Sequence, residues 1–174
     1  ALPLKPPPED MPYPRLLRSV GELVRAEPVL RHRMVLGFLG MASFSGLSQP
    51  MNIEFAPDGR LFVAEKGGVI KVFDNLADPT PTVFADLSAN VHNLADRGLL
   101  GLALHPQFPA QPWVYVLYAY DAPPGRTAPF WNDNCDSVGG ANGGRCIVTA
   151  RLSRLQANGN VMTGSEQVMI SDWC

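Results

Sequence analysis

Charge is scarce in these 174 residues: charged side chains make up 17%, against roughly 25% in an ordinary globular chain. Lys and Arg number 14, Asp and Glu 16, and the net charge is −2. The basic surface that neutralises phosphates is therefore missing, which argues against a general nucleic-acid binder. No apolar run suffices to cross a bilayer. The longest, Met34 to Phe44, is interrupted by Gly37 and Gly40 and is about half of the roughly 20 residues a transmembrane helix requires. Cysteines number three, and no C-x-x-C or H-x-x-x-H pair is present to build a zinc site. No Gly-rich loop stands between a strand and a helix as a phosphate cradle, and no G-x-S-x-G occurs. Nucleotide binding and nucleophile-elbow hydrolysis are thus unsupported.

Turn chemistry, by contrast, is abundant. The chain has 16 glycines and 17 prolines beside 46% apolar residues, which fits many short strands around a real core better than long helices or disorder. Residues 1–14 carry Pro3, Pro6, Pro7, Pro8, Pro12 and Pro14, an extended polyproline-like arm. In residues 15–27, Leu16, Leu17, Val20, Leu23 and Val24 fall on one face of a short amphipathic helix, which Pro28 ends. Residues 1–28 are therefore read as arm and helix, and 29–174 as the main domain.

From Val29 the pattern is strand after strand. MNIEFA, LFVAEK and VIKVFD are separated by Pro57-Asp58-Gly59-Arg60 and Gly67-Gly68, which predicts three antiparallel strands joined by tight turns. TVFADL at 82–87 opens a second unit, followed by LLGLALH and WVYVLYAY. The last has almost no polar residue, and burial of both its faces is expected. A third unit is expected to begin at CIVTARLSRLQA and to turn at Asn158-Gly159. Equivalent turns recur at Pro57, Pro106 and Asn158, about 50 residues apart, a period that fits propeller blades. The expected fold is all-β: two blades of a β-propeller and part of a third, with a two-sheet β-sandwich as the alternative. Propellers close with four or more blades. The chain thus reads as the N-terminal portion of a longer propeller, or as one that another chain completes.

Cys135 and Cys146 flank DSVGGANGGR, a spacer able to bend back. A disulfide is expected there, the alternative being two free thiols. Cys174 is then unpaired, its partner expected on sequence beyond these residues. His92 lies in the polar loop leading to Asp96 and Arg97 and is a candidate for approaching a ligand. His105 reads as a turn-capping side chain and His32 as a solvated one. Asn132, Asp133, Asn134 and Asp136 offer oxygens for Ca²⁺, without EF-hand spacing. Phe130 and Trp131 beside them form a candidate sugar-stacking surface.

Three segments carry a resemblance. Gly46-Leu47-Ser48-Gln49-Pro50 leads into FAPDGRLFVAEKGGVIKVFD, DRGLLGLALHPQFPAQPWVYVLY follows, and SDWC ends the chain. Together they resemble the start of the soluble, pyrroloquinoline-quinone (PQQ)-dependent glucose/sorbosone dehydrogenases, over residues 46–174. The resemblance implies a six-bladed propeller, secreted, periplasmic or on the cell surface. It implies PQQ and Ca²⁺ as cofactors and a sugar or alcohol as substrate. A His acting as general base would take the hydroxyl proton as hydride passes to the quinone. By the same resemblance that His falls beyond Cys174, so no catalytic residue is expected within these residues. Asp96 stands where glucose-oxidising members place a cofactor-contacting Gln, and Arg97 follows it. These two are the candidate cofactor-binding residues. The alternative is a non-catalytic propeller that binds a carbohydrate or a protein.

Overall fold

The structure is a computed structural model that describes residues 45–135 and 146–173. All of them belong to the second of two units into which the chain divides, Phe44–Cys174. The Pro-rich arm, the amphipathic helix, His32, Asp136 and Cys174 lie outside the described residues.

Among the described residues eight strands follow one another: β1 (Pro50–Phe55), β2 (Leu61–Glu65), β3 (Val69–Phe73), β4 (Thr82–Asp86), β5 (Leu99–Leu104), β6 (Trp113–Tyr120), β7 (Thr149–Asn158) and β8 (Val161–Trp173). They form two antiparallel four-stranded sheets, β1-β2-β3-β4 and β5-β6-β7-β8, each in sequence order. The Pro57-Asp58-Gly59 signal works as its chemistry predicts. The Asp58 carboxylate accepts the Arg60 amide at 3.3 Å, and Gly59 takes φ +97° between β1 and β2.

The all-β expectation holds, but the division into units needs correcting. Thr82–Asp86 does not open the second unit: it pairs with β3, Val69 opposite Asp86, and completes the first sheet. Nor does the segment from Cys146 begin a third unit. β7 pairs with β6 from Trp113 opposite Gln156 to Tyr120 opposite Thr149, and β8 pairs with β7. The described residues therefore hold two complete sheets and no part of a third. Turn spacing marks where strands end, whereas sheet membership is a matter of long-range pairing. The connections at 74–81 and 121–148 concealed that pairing because neither is a tight hairpin.

The core lies between the sheets. Phe62, Ile70, Val72 and Phe84 of the first pack with Leu99, Val114, Val116 and Leu155 of the second. Phe62 is central: its ring meets Phe84 at 5.3 Å and Phe108 at 5.5 Å, both edge to face, the geometry aromatic quadrupoles prefer. WVYVLYAY departs from expectation. Val114, Val116, Tyr118 and Tyr120 are buried, but the alternate residues are only half-buried. That second face borders an open groove lined by Leu100, Leu117, Ala119, Val148, Ala150 and Trp173. The first sheet likewise leaves Met51, Ile53 and Phe55 of β1 exposed. Each sheet thus covers one apolar face and leaves apolar side chains uncovered on the other, as blades do when considered without their neighbours.

Polar contacts join the sheets at their rims. Arg60 stands 5.5 Å from the Phe62 ring centre and 5.1 Å from that of Phe108. It also donates to the Gly159 carbonyl and the Asn160 side chain in the β7–β8 turn. Glu166 on β8 accepts from the Tyr118 hydroxyl and the Ser153 hydroxyl, both at 2.6 Å, and from Asn90 at 3.1 Å. Burial raises the Tyr118 phenol, and the Glu166 carboxylate raises it further.

Two outcomes follow. Phe62→Ala removes the ring on which both sheets close and should cost about 3–5 kcal/mol, the usual range for a buried Phe, read by urea denaturation of the full-length protein. Tyr118 is held neutral in the folded state above its unfolded value of about 10. Its contribution is therefore complete below about pH 10 and is lost as pH rises through the higher folded value. The urea midpoint of the wild type should fall more between pH 8 and pH 11 than that of Tyr118→Phe; equal falls would contradict this.

Candidate functional site

Three connections meet at one end of the two sheets: the β2–β3 turn at Lys66-Gly67-Gly68, the β4–β5 loop from Leu87 to Gly98, and the β6–β7 connection that starts at Asp121. They are stitched together through the backbone. The Leu99 amide donates to the Lys66 carbonyl at 2.9 Å, and Lys66 Nζ donates to Asn93 Oδ1 at 2.7 Å. Gly98, at φ +146°, lets the chain pass so close that a Cβ would stand 2.6 Å from the Lys66 carbonyl oxygen. A side chain there would push the two loops apart.

His92 is fully buried. Its backbone amide is held by the Ala119 carbonyl at 2.8 Å, and its Nδ1 lies 2.6 Å from Asp121 Oδ1. It does not line an open surface; it is a strut inside the loop cluster. Asp121, equally buried, is the residue the sequence reading missed. Its other oxygen, Oδ2, accepts the backbone amides of Phe130, Trp131 and Asn132 at 3.0, 3.2 and 2.9 Å. Three N–H donors and one imidazole N–H explain how a carboxylate sits in the interior without a cation. The one available signal was its place as the first charged residue after an uninterrupted apolar strand.

The other candidates separate. Asp96 is exposed just after Ala95, whose φ is +54°. Arg97 turns from it and donates from Nη1 to the Cys146 carbonyl at 3.1 Å. Cys135 and Cys146 are joined by a disulfide with Cα atoms 5.6 Å apart, as expected. His105 Nδ1 accepts the Gln107 amide at 3.1 Å, the turn-capping role read for it. Phe130 and Trp131 pack edge to face with centroids 4.7 Å apart. Trp131 donates its indole N–H to the Ile147 carbonyl at 3.0 Å.

Among the described residues, His92, Asp121 and Asp133 bring potential metal-ligating atoms within 4.8 Å of one another. As arranged they make a poor cation site. Asp121 spends both oxygens on N–H donors, and the ring nitrogen facing it must carry a proton. Asp133 caps the backbone amide of Asn93. Of the other candidate oxygens in this segment, Asn132 enters the network through its backbone amide to Asp121, and Asp136 lies outside the described residues. The network is built to hold a loop. Asp121→Ala should leave His92 and three amides without an acceptor and cost about 3–5 kcal/mol, as for breaking a buried pair. Thermal denaturation of the full-length protein reads this, and a loss below about 1 kcal/mol would show that the network matters little.

Comparisons with known proteins agree with this architecture. Residues 47–164 match the Glucose / Sorbosone dehydrogenase family. The Hedgehog-interacting protein of Homo sapiens is 30% identical over 117 residues, covering 62% of this chain and 16% of that protein. Among solved structures, a putative oxidoreductase (glucose dehydrogenase) from Thermus thermophilus superposes with TM-score 0.51 and 27% identity over 74% of this chain and 30% of its own. The PQQ-bound aldose sugar dehydrogenase from Streptomyces coelicolor gives TM-score 0.52 at 16% identity over 74% and 31%, a likeness of fold. The chain thus spans under a third of the length of these structures and about a sixth of that curated relative. With its two sheets, its turn chemistry and most of its length matched, the chain belongs to the glucose/sorbosone dehydrogenase family.

Proposed function

We propose that these sheets belong to an extracytoplasmic, dehydrogenase-type propeller that works as a protein-binding module instead of oxidising sugars. The observation that carries this is the pair Asp96 and Arg97. PQQ is a polyanion, and its quinone oxygens gain further negative charge on reduction. A contact to it calls for donors or cations. Asp96, which the resemblance puts at the family's cofactor-contacting Gln, is an exposed carboxylate, and the neighbouring guanidinium is turned to the Cys146 carbonyl. As placed, Asp96 and Arg97 do not fit a polyanionic cofactor, because the carboxylate repels it and the guanidinium is turned away. The 30% identity to a protein named for interacting with Hedgehog supports the same reading. The Cys135–Cys146 disulfide supports an oxidising compartment.

The second reading, a PQQ- and Ca²⁺-dependent sugar or alcohol dehydrogenase, is favoured by the family match. In it the general-base His and most ligands are supplied by sequence beyond Cys174 or by another chain.

The two readings separate in one assay. Full-length protein supplied with PQQ and Ca²⁺ should show no glucose- or aldose-dependent reduction of an electron-accepting dye. It should bind a Hedgehog ligand on a sensor surface. Asp96→Gln should raise affinity for added PQQ, since it removes the opposing charge, without producing turnover. Quinone-dependent turnover by the wild type would overturn the binding-module reading.

A further inference from the structure

The disulfide and the buried His92–Asp121 pair meet at one point. Cys135 Sγ lies 3.4 Å from His92 Nε2, and His92 Nδ1 is 2.6 Å from Asp121 Oδ1. Asp121 is pinned by the three amides on its other oxygen, so the ring it orients is pinned too. The carboxylate keeps a proton on Nδ1 and leaves the Nε2 lone pair directed at sulfur. A second carboxylate, Asp133 Oδ1, lies 3.7 Å from Nδ1. Among the described residues, the Arg97 guanidinium also lies beside the disulfide, bonded to the Cys146 carbonyl at 3.1 Å. The two sulfurs are not equivalent: Cys135 is half-buried, and Cys146 is buried.

Besides holding the loop, the His92–Asp121 network orients an imidazole nitrogen on the disulfide. Carboxylate, imidazole and sulfur in series are the arrangement that stabilises a thiolate. We propose that Cys135–Cys146 is an exchange-active disulfide, with Cys135 the nucleophilic and Cys146 the resolving cysteine, open to dithiols presented at this end of the sheets. This inference does not depend on whether the propeller binds a protein or oxidises a sugar.

The exchange balances as follows. One thiolate of a dithiol attacks the accessible Cys135 sulfur. A new S–S bond forms, the Cys135–Cys146 bond breaks, and Cys146 departs as a thiolate and takes up a proton. The second thiolate of the dithiol then attacks the first sulfur of the same molecule. The mixed disulfide breaks, and Cys135 leaves as a thiolate beside His92. Two electrons pass from the dithiol, which becomes a disulfide, to the protein's disulfide. Of the two protons released, one resides on Cys146 and one on His92 Nε2, paired with the Cys135 thiolate. Because the ring stabilises only the reduced form, it makes reduction easier.

The test uses the full-length protein, reduced with dithiothreitol, desalted without oxygen and treated with iodoacetamide from pH 5 to 9, with labelling of each cysteine followed by peptide mass spectrometry. Cys135 should reach half-maximal rate at least one pH unit below an ordinary thiol, about 8.5, while Cys146 follows the ordinary profile. His92→Gln should return Cys135 to the ordinary profile. It should also require about threefold more reduced glutathione, at fixed oxidised glutathione and pH 9, to open the disulfide at equilibrium. Since His92 is buried and its replacement can prevent folding, Cys146→Ser, which leaves His92 in place, gives the same reading for Cys135 independently. An ordinary profile for Cys135 in the wild type and in Cys146→Ser would overturn the proposal, as would a glutathione midpoint unchanged by His92→Gln in a folded variant.

Discussion

Phe62 stands where the two sheets meet, its ring edge-on to Phe84 of its own sheet and to Phe108 in the β5–β6 connection. Around it, Ile70 and Val72 face Val114, Val116 and Leu155 across the interface. Isolated sheets of this size, apolar on both sides, would leave enough apolar surface in water to oppose folding. Packing one sheet on the other buries half of those faces and sets the position of everything at the rims. The Arg60 guanidinium reaches the β7–β8 turn from the β1–β2 turn only because Phe62 and Phe108 hold the sheets at that separation.

At the opposite rim, the same packing brings three connections together and forces their polar backbone groups into partnership. The β4–β5 loop must cross from one sheet to the next. It does so by bonding its amides and side chains to Lys66, Ala119 and Asp133. Asp121, emitted by β6 at its buried end, then becomes the hub: it gathers the amides of residues 130–132 and orients His92. Loop order, ring orientation and the disulfide's surroundings thus descend from one carboxylate whose cost of burial is met by four N–H donors. The uncovered faces of β1 and β6 have the opposite character. They are apolar and open, in keeping with a family whose solved structures this chain matches over under a third of their length.

Much of this was legible in the linear text. Pro57-Asp58-Gly59, Gly67-Gly68 and Asn158-Gly159 announce their turns because their φ requirements are local. The alternation of β7 and the apolar run of β6 mark strands for the same reason. The pairing of Cys135 with Cys146 was readable from a short, glycine-rich spacer, and the G-L-L-G run carried the family. His105 as a turn cap likewise needs only its neighbours. The unit boundaries were not readable. Whether Thr82–Asp86 closes one sheet or opens the next depends on which strand supplies its hydrogen-bond partners, and residues 74–81 are compatible with both.

The sequence by itself determined the strands, their turns, the all-β class and the cysteine link, since each rests on the conformational preferences of a few adjacent residues. Only the tertiary structure decided which strands share a sheet and which face of WVYVLYAY is covered. It also decided that His92 faces inward to Asp121 and Cys135 while Asp96 faces water. Those outcomes depend on residues 29 and 43 positions from His92, and no local preference encodes a contact whose partners meet only after the two sheets have packed.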